Sequence, residues 1–227
     1  MPLSTARDQP YTASAPLEWV TAPAPVPYET ALAAMDARAE AIAKDAAPDC
    51  VWLLEHPPLY TAGTSATDEE LLEPGRFPVF KTGRGGRYTY HGPGQRITYV
   101  MLDLSARGRD VRAYVTALEA WLIATLARLG VEGERRPGAV GIFVGDAKIA
   151  SIGVRVRRWV TLHGVSLNVN PNLEHFTGIV PCGLHDTKVT SLTALGAETD
   201  RSRVDEALRA TFSEAFSVLA NCPSQSP

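Results

Sequence analysis

Residues 140 to 169 carry the pattern that most narrows the fold. The stretches VGIFVG, KIASIGVRV and WVTLHGVSLNV alternate apolar side chains with polar or small ones, and the pair Gly145-Asp146 separates the first stretch from the second. Period-two alternation around a glycine-containing turn is typical of consecutive antiparallel strands. The pattern therefore predicts an antiparallel sheet in this part of the chain.

Helical periodicity appears on both sides of an earlier strand. A first helix is predicted from Pro27, a residue favoured in the first turn, because apolar side chains recur at helical spacing from Tyr28 to Ile42. The run CVWLLEHPP reads as a buried strand that leaves the sheet at Pro57, with a loop after it through residues 63–75. A second helix is predicted over Arg109 to Leu129.

A third helix is predicted over Arg201 to Leu219, where Ser202 and Asp205 have the spacing of a capping box. Helices mixed with antiparallel strands indicate the α+β class. We expect a single domain with a mixed, largely antiparallel sheet flanked by helices. Residues 1–16 are predicted to form a flexible N-terminal segment, 17–221 the catalytic domain and 222–227 a tail.

Composition excludes several classes of function. The net charge is -3, with 22 basic and 25 acidic residues, which argues against a general nucleic-acid binder. The three cysteines lie far apart, so neither a disulfide framework nor a zinc-finger spacing is indicated, and we expect no metal and no cofactor. Without a secretory signal or an 18-residue apolar run, a cytoplasmic protein that does not contact membranes is predicted.

A glycine-dense segment, GRGGRYTYHGPGQ at residues 83–95, is the first candidate for ligand contact. It lacks the Gly-Lys-Ser/Thr of a Walker A loop and the third glycine of a dinucleotide fingerprint. Its five glycines allow sharp bends and close approach to a ligand. A substrate pocket and a tight sheet crossover explain this segment equally well.

Two residues are ambiguous when taken singly. Cys182 stands between Pro181 and Gly183 in GIVPCGLHD, where it is either a small buried hydrophobe or a nucleophile presented by a turn. Lys148 follows the Gly145-Asp146 turn, a position at which most lysines are solvated. Neither residue by itself identifies a reaction.

Four segments, taken in order, resemble one enzyme family. They are WLLEHPPLYTAGTS at 52–65, the glycine-dense segment, KIASIGVRVRRWVTLHGVSLNV at 148–169 and FTGIVPCGL at 176–184. Together they resemble the octanoyltransferases of protein lipoylation over a span from about Leu17 to Leu219. The resemblance also implies a fold similar to the catalytic fold of lipoate and biotin protein ligases.

The resemblance implies both a reaction and its residues. It implies transfer of an octanoyl group from octanoyl-acyl carrier protein, with lipoyl-acyl carrier protein as a further donor, to a lysine of lipoyl domains in 2-oxoacid dehydrogenase complexes and in the glycine cleavage H protein. Cys182 would carry the acyl group as a thioester, and Lys148 would be its partner. The substrate-binding residues that it implies are Arg84, Gly85, Gly86, Arg87, Tyr88, Thr89, Tyr90, His91, Ser151, Ile152, Gly153, Gly164, Val165 and Ser166.

Elementary chemistry agrees with these roles. A thiol with a pKa of about 8.5 is only a few per cent thiolate at neutral pH, and a neighbouring ammonium lowers that pKa. Exchange of one thioester for another is nearly isoenergetic and needs no ATP. The apolar parts of Tyr88, Tyr90 and Val165 are candidates for the wall that contacts the octanoyl tail.

Three other functions stay open on the residues alone. An ATP-dependent lipoate or biotin-type protein ligase would need a similar lysine but no cysteine nucleophile. A catalytically silent module would bind acylated carriers without turnover. A thiol protease is the weakest alternative, because His163, His175 and His185 are present without a protease-type cysteine motif.

Basic residues indicate where acidic protein partners dock. Arg155, Arg157 and Arg158 in RVRRW, with Arg135 and Arg136, form local positive clusters in an acidic chain. Docking on these clusters competes with the simpler interpretation of a solvated strand face.

Overall fold

The computed structural model describes residues 17–180 and 188–220. Within these ranges the chain forms three α-helices and eleven strands. The helices are α1 (Tyr28–Ile42), α2 (Val111–Arg128) and α3 (Arg201–Ala220). The strands are β1 (Leu17–Thr21), β2 (Asp49–Leu54), β3 (Leu59–Ala62), β4 (Val79–Lys81), β5 (Tyr88–His91), β6 (Gln95–Met101), β7 (Glu134–Arg136), β8 (Ala139–Val144), β9 (Ala147–Arg157), β10 (Val160–Asn168) and β11 (Lys188–Val189).

A large mixed sheet organises the molecule. Its strand order is β1-β2-β6-β10-β9-β8-β7, and β11 pairs with β9. The β1-β2 and β9-β11 pairs are parallel, whereas the other neighbours are antiparallel. The α+β prediction with a largely antiparallel sheet is confirmed, and the period-two stretches correspond to β8, β9 and β10.

Helices cover both faces of this sheet, as the alternation of side chains along β2 shows. Val51 and Leu53 point to one face and pack with α2 and α3. Cys50 and Leu54 point to the other face and pack with α1. Apolar side chains on both faces explain why β2 reads as a continuous apolar run instead of an alternating one.

A smaller sheet of three strands, in the order β4-β3-β5, stands beside the large one. Neither β3 nor β1 is predicted by the sequence pattern. Leu59–Ala62 is buried throughout and therefore does not alternate. Leu17–Thr21 is an edge strand held by parallel pairing to β2, which is a contact between distant parts of the chain.

The predicted capping box of α3 is wrong. Asp200 caps this helix, because its Oδ1 accepts hydrogen bonds from the backbone N–H groups of Ser202 at 2.9 Å and Arg203 at 3.1 Å. The carboxylate of Asp205 instead pairs with the guanidinium of Arg96 on β6, whose Nε lies 2.7 Å from Oδ1. Asp205 thus ties α3 to the sheet, a contact that local spacing does not encode.

Candidate active site

A cavity of about 400 Å³ lies between the α1-covered face of the large sheet and the small sheet. Its wall takes residues from β5, β6, β8, β9 and β10, from the glycine-dense loop and from the start of α1. The lining residues are Tyr28, Ser65, Arg84, Gly86, Arg87, Tyr88, Thr89, His91, Ile97, Tyr99, Gly138, Ala139, Val140, Lys148, Ser151, Ile152, Gly153, His163, Gly164, Val165, Ser166, Asn168, Phe176 and Val189.

The cavity gathers most of the residues that the sequence predicts for the site. Gly85 and Tyr90 are exceptions, since neither lines it. The N–H of Gly85 donates to the Val154 carbonyl at 3.0 Å, which ties the loop to β9. Tyr90 is 1% exposed and packs against Tyr60, Phe77 and Phe176, so it supports the small sheet and does not form the cavity wall.

Cys182 lies outside the described residues, as do the rest of positions 181–187. The chain on either side of this stretch is close to the cavity. Val180 donates its N–H to the Glu70 carbonyl at 2.8 Å. On the other side, Lys188 and Val189 pair in parallel with Ala147 and Lys148, and Val189 also lines the cavity.

Lys148 is buried, with 4% of its surface exposed. Its Nζ donates to the Val140 carbonyl at 2.7 Å and lies 5.7 Å from the centre of the Phe143 ring. The sequence expectation of a solvated lysine next to a turn is therefore wrong. Burial of an ammonium is costly unless it is hydrogen-bonded, and the Val140 carbonyl supplies such a bond.

Gly141 makes room for this lysine. Its φ of +123° is a conformation that side chains with a Cβ rarely adopt, and a Cβ there would lie 2.5 Å from both the Lys148 Cε and the Ala150 carbonyl oxygen. The pairing of β8 with β9 also shifts register between Ile142 and Phe143. Such a bulge redirects side chains beside it. Local backbone geometry thus leaves room for the Lys148 side chain at the cavity wall.

Arg84 supports the glycine-dense loop from inside. Its side chain is 7% exposed, and its Nη2 donates to Thr61 Oγ1 at 2.6 Å, to the Thr61 carbonyl at 3.0 Å and to the Arg87 carbonyl at 3.1 Å. These bonds hold the loop against β3. Arg87 itself forms an ion pair with Glu70, which is 6% exposed.

The cavity has a polar inner end. His56 accepts a hydrogen bond from the Tyr99 hydroxyl at Nε2, 2.8 Å away, because its Nδ1 donates to the Val26 carbonyl at 2.7 Å. Tyr28 is 5% exposed, and its hydroxyl is buried without a hydrogen-bond partner among the residues that have been described. Burial raises the pKa of Tyr28 to about 12, so this hydroxyl keeps its proton.

His163 is strained into this inner end. Strict alternation along β10 would place it with Val165 and Leu167 on the α2 and α3 face, yet its ring lies 5.9 Å from that of Tyr99 on the opposite face. A φ of +61° breaks the alternation. Burial, assisted by Arg84 and Arg155, lowers the pKa of His163 to about 4. Strained residues of this kind cluster at functional sites.

His91 is the other neutral imidazole of the wall. Burial, followed by the influence of His56, Arg84 and His163, lowers its pKa to about 3. Both imidazoles are therefore uncharged at neutral pH, beside the charged Arg84 guanidinium. The cavity wall thus holds two buried cations, Lys148 and Arg84, together with these neutral imidazoles.

Sequence reasoning did not assign Tyr28, Tyr99 or Asn168 to the site, and it considered His163 only for a protease. Tyr28 looked like an ordinary apolar position of an amphipathic helix. The one local signal was the His163-Gly164 pair inside an otherwise β-branched and apolar strand, because glycine in a strand often marks close backbone approach.

The described ranges contain no group of three or more His, Cys, Asp or Glu side chains arranged to hold a metal ion. Over the same two stretches of chain, no helix combines the length and apolarity that a membrane span requires.

Comparison with known proteins identifies the family. The profile described as the lipoyl protein ligase A/B catalytic domain matches residues 27–213. An octanoyltransferase of Paramagnetospirillum magneticum is 60% identical over 206 residues, covering 88% of this chain and 97% of that protein. An octanoyltransferase of Parvibaculum lavamentivorans is also 60% identical, over 213 residues, covering 90% of this chain and 94% of that protein.

Solved structures share the fold at low identity. A lipoate-protein ligase A bound with ATP has a TM-score of 0.63 at 18% identity, covering 80% of this chain and 79% of that one. The bipartite lipoate protein ligase of Thermoplasma acidophilum has a TM-score of 0.60 at 19% identity, covering 88% and 82%. The predicted likeness to lipoate ligases is confirmed at the level of fold. The chain belongs to the lipoyl protein ligase A/B catalytic-domain family and, within it, to the octanoyltransferases.

Proposed function

We propose that this acyltransferase moves an octanoyl group from octanoyl-acyl carrier protein to a lysine of lipoyl domains through a thioester on Cys182. The observation that carries the proposal is the buried Lys148 ammonium in the wall of the cavity. The strand that resumes the chain after residues 181–187 pairs with Lys148 itself. Relatives that are 54–62% identical over most of the chain are named octanoyltransferases.

The first half-reaction loads the enzyme. The Cys182 thiolate attacks the carbonyl carbon of the carrier thioester, and a new carbon–sulfur bond replaces the bond to the pantetheine sulfur. That departing sulfur takes a proton from the Lys148 ammonium. A positive charge beside the thiol lowers the pKa of Cys182 and increases its thiolate fraction at neutral pH.

The second half-reaction discharges the enzyme. The neutral Lys148 amine takes one proton from the target ammonium, whose pKa of about 10.4 otherwise keeps it protonated. The freed amine attacks the acyl carbon, the carbon–nitrogen bond forms and the bond to Cys182 breaks. A second proton leaves to solvent. The thiolate and the ammonium are thereby restored.

The cavity suits an octanoyl tail. Burial of its six methylene groups at about 0.8 kcal/mol each supplies roughly 5 kcal/mol of binding free energy. Ile97 and Tyr99, on the α1-covered face, contribute apolar wall, whereas the side chain of Val165 packs in the core beside α2 and α3. One methylene more or less changes binding in a hydrophobic pocket by about ten-fold to a few hundred-fold. A preference for eight carbons over shorter chains follows.

The proposed partners are the acyl carrier protein and lipoyl domains of 2-oxoacid dehydrogenase complexes and the glycine cleavage H protein. Of the basic residues that the sequence singles out for docking, Arg155 and Arg158 are exposed on β9 and its turn. Arg135 and Arg136 form ion pairs with Glu119 at 2.8 Å and Asp146 at 2.9 Å. We therefore place docking on the Arg155 and Arg158 side and not on the paired arginines.

Intact-protein mass spectrometry tests the reaction. Wild type mixed with octanoyl-acyl carrier protein should gain one octanoyl group, which peptide mapping places on Cys182. Cys182→Ala should gain none. Cys50→Ala is the matched control and should load normally, because Cys50 is 2% exposed on the α1 side of β2 and burial raises its pKa to about 12.

Addition of an apo lipoyl domain should then discharge the adduct onto the domain, and Lys148→Ala should block that discharge. Absence of the wild-type adduct, together with octanoylation that requires free octanoate and ATP, would identify a ligase instead. An adduct-free protein that binds the acylated carrier without turnover would identify a silent binding module.

A further inference from the structure

A chain of side-chain hydrogen bonds runs along the wall of the cavity, where His91 and Asn168 are lining residues. His91 Nδ1 lies 2.7 Å from Gln95 Oε1, and Gln95 Nε2 lies 2.9 Å from Asn168 Oδ1. Asn168 Nδ2 lies 3.0 Å from the backbone carbonyl oxygen of Thr190. Gln95 and Asn168 are 1% and 4% exposed, so the middle of this chain is shielded from water.

The Thr190 carbonyl fixes the direction of every bond in the chain. A carbonyl oxygen only accepts, so Asn168 must donate to it through Nδ2 and accept from Gln95 through Oδ1. Gln95 then has Oε1 left to accept from His91, which must carry its proton on Nδ1. Each amide has one arrangement that satisfies both of its neighbours, and the chain cannot reverse.

Thr190 also connects these hydrogen bonds to the backbone of Lys148. Its N–H donates to the Lys148 carbonyl at 2.9 Å, directly after β11 pairs with β9. β11 has only two residues, and a pairing of that length is weak without further support. Asn168 supplies this support from the end of β10, because its side chain holds the Thr190 carbonyl while its own carbonyl accepts the N–H of Leu192 at 3.0 Å.

We propose that Asn168 is a positioning residue for Lys148, because it clamps Thr190, whose N–H is bonded to the Lys148 carbonyl. Lys188, the first described residue after the stretch that carries Cys182, belongs to the strand that this clamp secures. The inference rests on the proposed function, because it assumes that Cys182 and Lys148 act together. Asn168 acts through Thr190 and is not itself a catalytic group.

Two substitutions isolate the clamp. Asn168→Asp keeps the size of the side chain and can still accept from Gln95, but it cannot donate to the Thr190 carbonyl. Asn168→Ala removes both bonds. Asn170→Ala is the matched control, because Asn170 is the same residue type two positions along the chain and is exposed. If Asn168→Ala does not fold, Asn168→Asp still tests the donated bond.

The primary readout is the pH dependence of Cys182 alkylation, followed by peptide mass spectrometry, which requires no octanoyl transfer. We expect the alkylation midpoint of both Asn168 variants to move to higher pH, toward that of Lys148→Ala, since an ammonium that is no longer held beside the thiolate stabilises it less. Octanoyl loading should fall roughly ten-fold to a hundred-fold, the range for misplaced reacting groups. The Asn170→Ala control should match wild type.

Other outcomes would overturn the inference. A wild-type alkylation midpoint in both Asn168 variants, with or without a lower melting temperature, would make Asn168 merely structural. An equal shift of the alkylation midpoint in Asn170→Ala would show that the effect does not depend on the bond from Asn168 to Thr190. Failure of the proposed function has a different signature, namely a wild-type protein that reacts with the alkylating agent at Cys182 but gains no octanoyl group.

Discussion

Gly141 offers a sharp test of how the backbone places Lys148. Substitution by alanine would put a Cβ 2.5 Å from the Lys148 Cε and 2.5 Å from the Ala150 carbonyl oxygen, at a φ of +123°. Backbone strain at such an angle costs about 1–3 kcal/mol, and overpacking costs about 1–3 kcal/mol more. Gly141→Ala should therefore lower the free energy of unfolding by roughly 2–6 kcal/mol.

Relief of the clash with Lys148 has a functional cost, because its side chain is displaced more easily than the backbone. Its displacement would break the 2.7 Å bond from Nζ to the Val140 carbonyl and withdraw the ammonium from the cavity. Octanoyl loading should then fall by roughly a hundred-fold at temperatures at which the variant is still folded.

Gly145→Ala is the matched control for this experiment. Gly145 also has a positive φ, +52°, but a Cβ there would meet nothing within 4 Å. The Gly145→Ala variant should lose about 1–2 kcal/mol in the free energy of unfolding and retain octanoyl loading. Urea unfolding and acyl-enzyme mass spectrometry measure the two effects separately. Equal stability and equal loading in the two variants would refute the argument that Gly141 accommodates Lys148.

Three further predictions concern the inner end of the cavity and the core. His163 has a pKa of about 4 in the folded protein against about 6.5 unfolded, so the unfolded chain binds more protons as the pH falls below 6.5. Between pH 7 and pH 5 this group should account for a loss of about 2 kcal/mol in the free energy of unfolding, measured with urea, in addition to that from His91. His163→Gln should lose about 2 kcal/mol less than wild type over this range, and an equal loss would contradict the argument. Tyr28→Phe removes a buried hydroxyl that has no hydrogen-bond partner among the described residues. Burial of such a group costs about 1–3 kcal/mol, so the melting temperature of the unliganded protein should rise. A lower melting temperature would mean that the hydroxyl is hydrogen-bonded. Arg107 and Asp49 form a buried ion pair at 2.6 Å. Arg107→Leu should lower the free energy of unfolding by about 3–5 kcal/mol, measured with heat or urea, because it leaves the Asp49 carboxylate buried without its partner. The double variant with Asp49→Asn should recover part of this loss, and no recovery would show that the broken pair is not its cause.

Local patterns succeeded where each segment carries its own period. The three helices and the strands β8, β9 and β10 follow from the spacing of apolar side chains, and the structure places them at or within a few residues of the predicted bounds. β3 failed this test because Leu59–Ala62 is buried on both faces and shows no alternation. β1 failed because parallel pairing to β2 is decided by another part of the chain.

The site divides in the same way. Motif resemblance located Lys148, the glycine-dense loop and the small residues of β9 and β10, and most of these residues line the cavity. It assigned Tyr90 to the wall, although that ring packs inside the small sheet. The solvated environment expected for a lysine beside a turn came from Lys148 taken singly, and it was wrong because the β8–β9 bulge and the φ of Gly141 leave no sequence period.

By itself, the sequence determined the α+β class, the order of the helices and of strands β8 to β10, and the family to which the chain belongs. These features depend on neighbours in sequence and on long motifs. Tertiary structure alone decided that His163 turns to the cavity against its strand's alternation, that Asp205 bonds Arg96 instead of its own helix, and that Asn168 holds Thr190. The physical reason is that a polar group takes the partner that folding brings within hydrogen-bond distance, and those partners are 22 to 109 residues away in the chain.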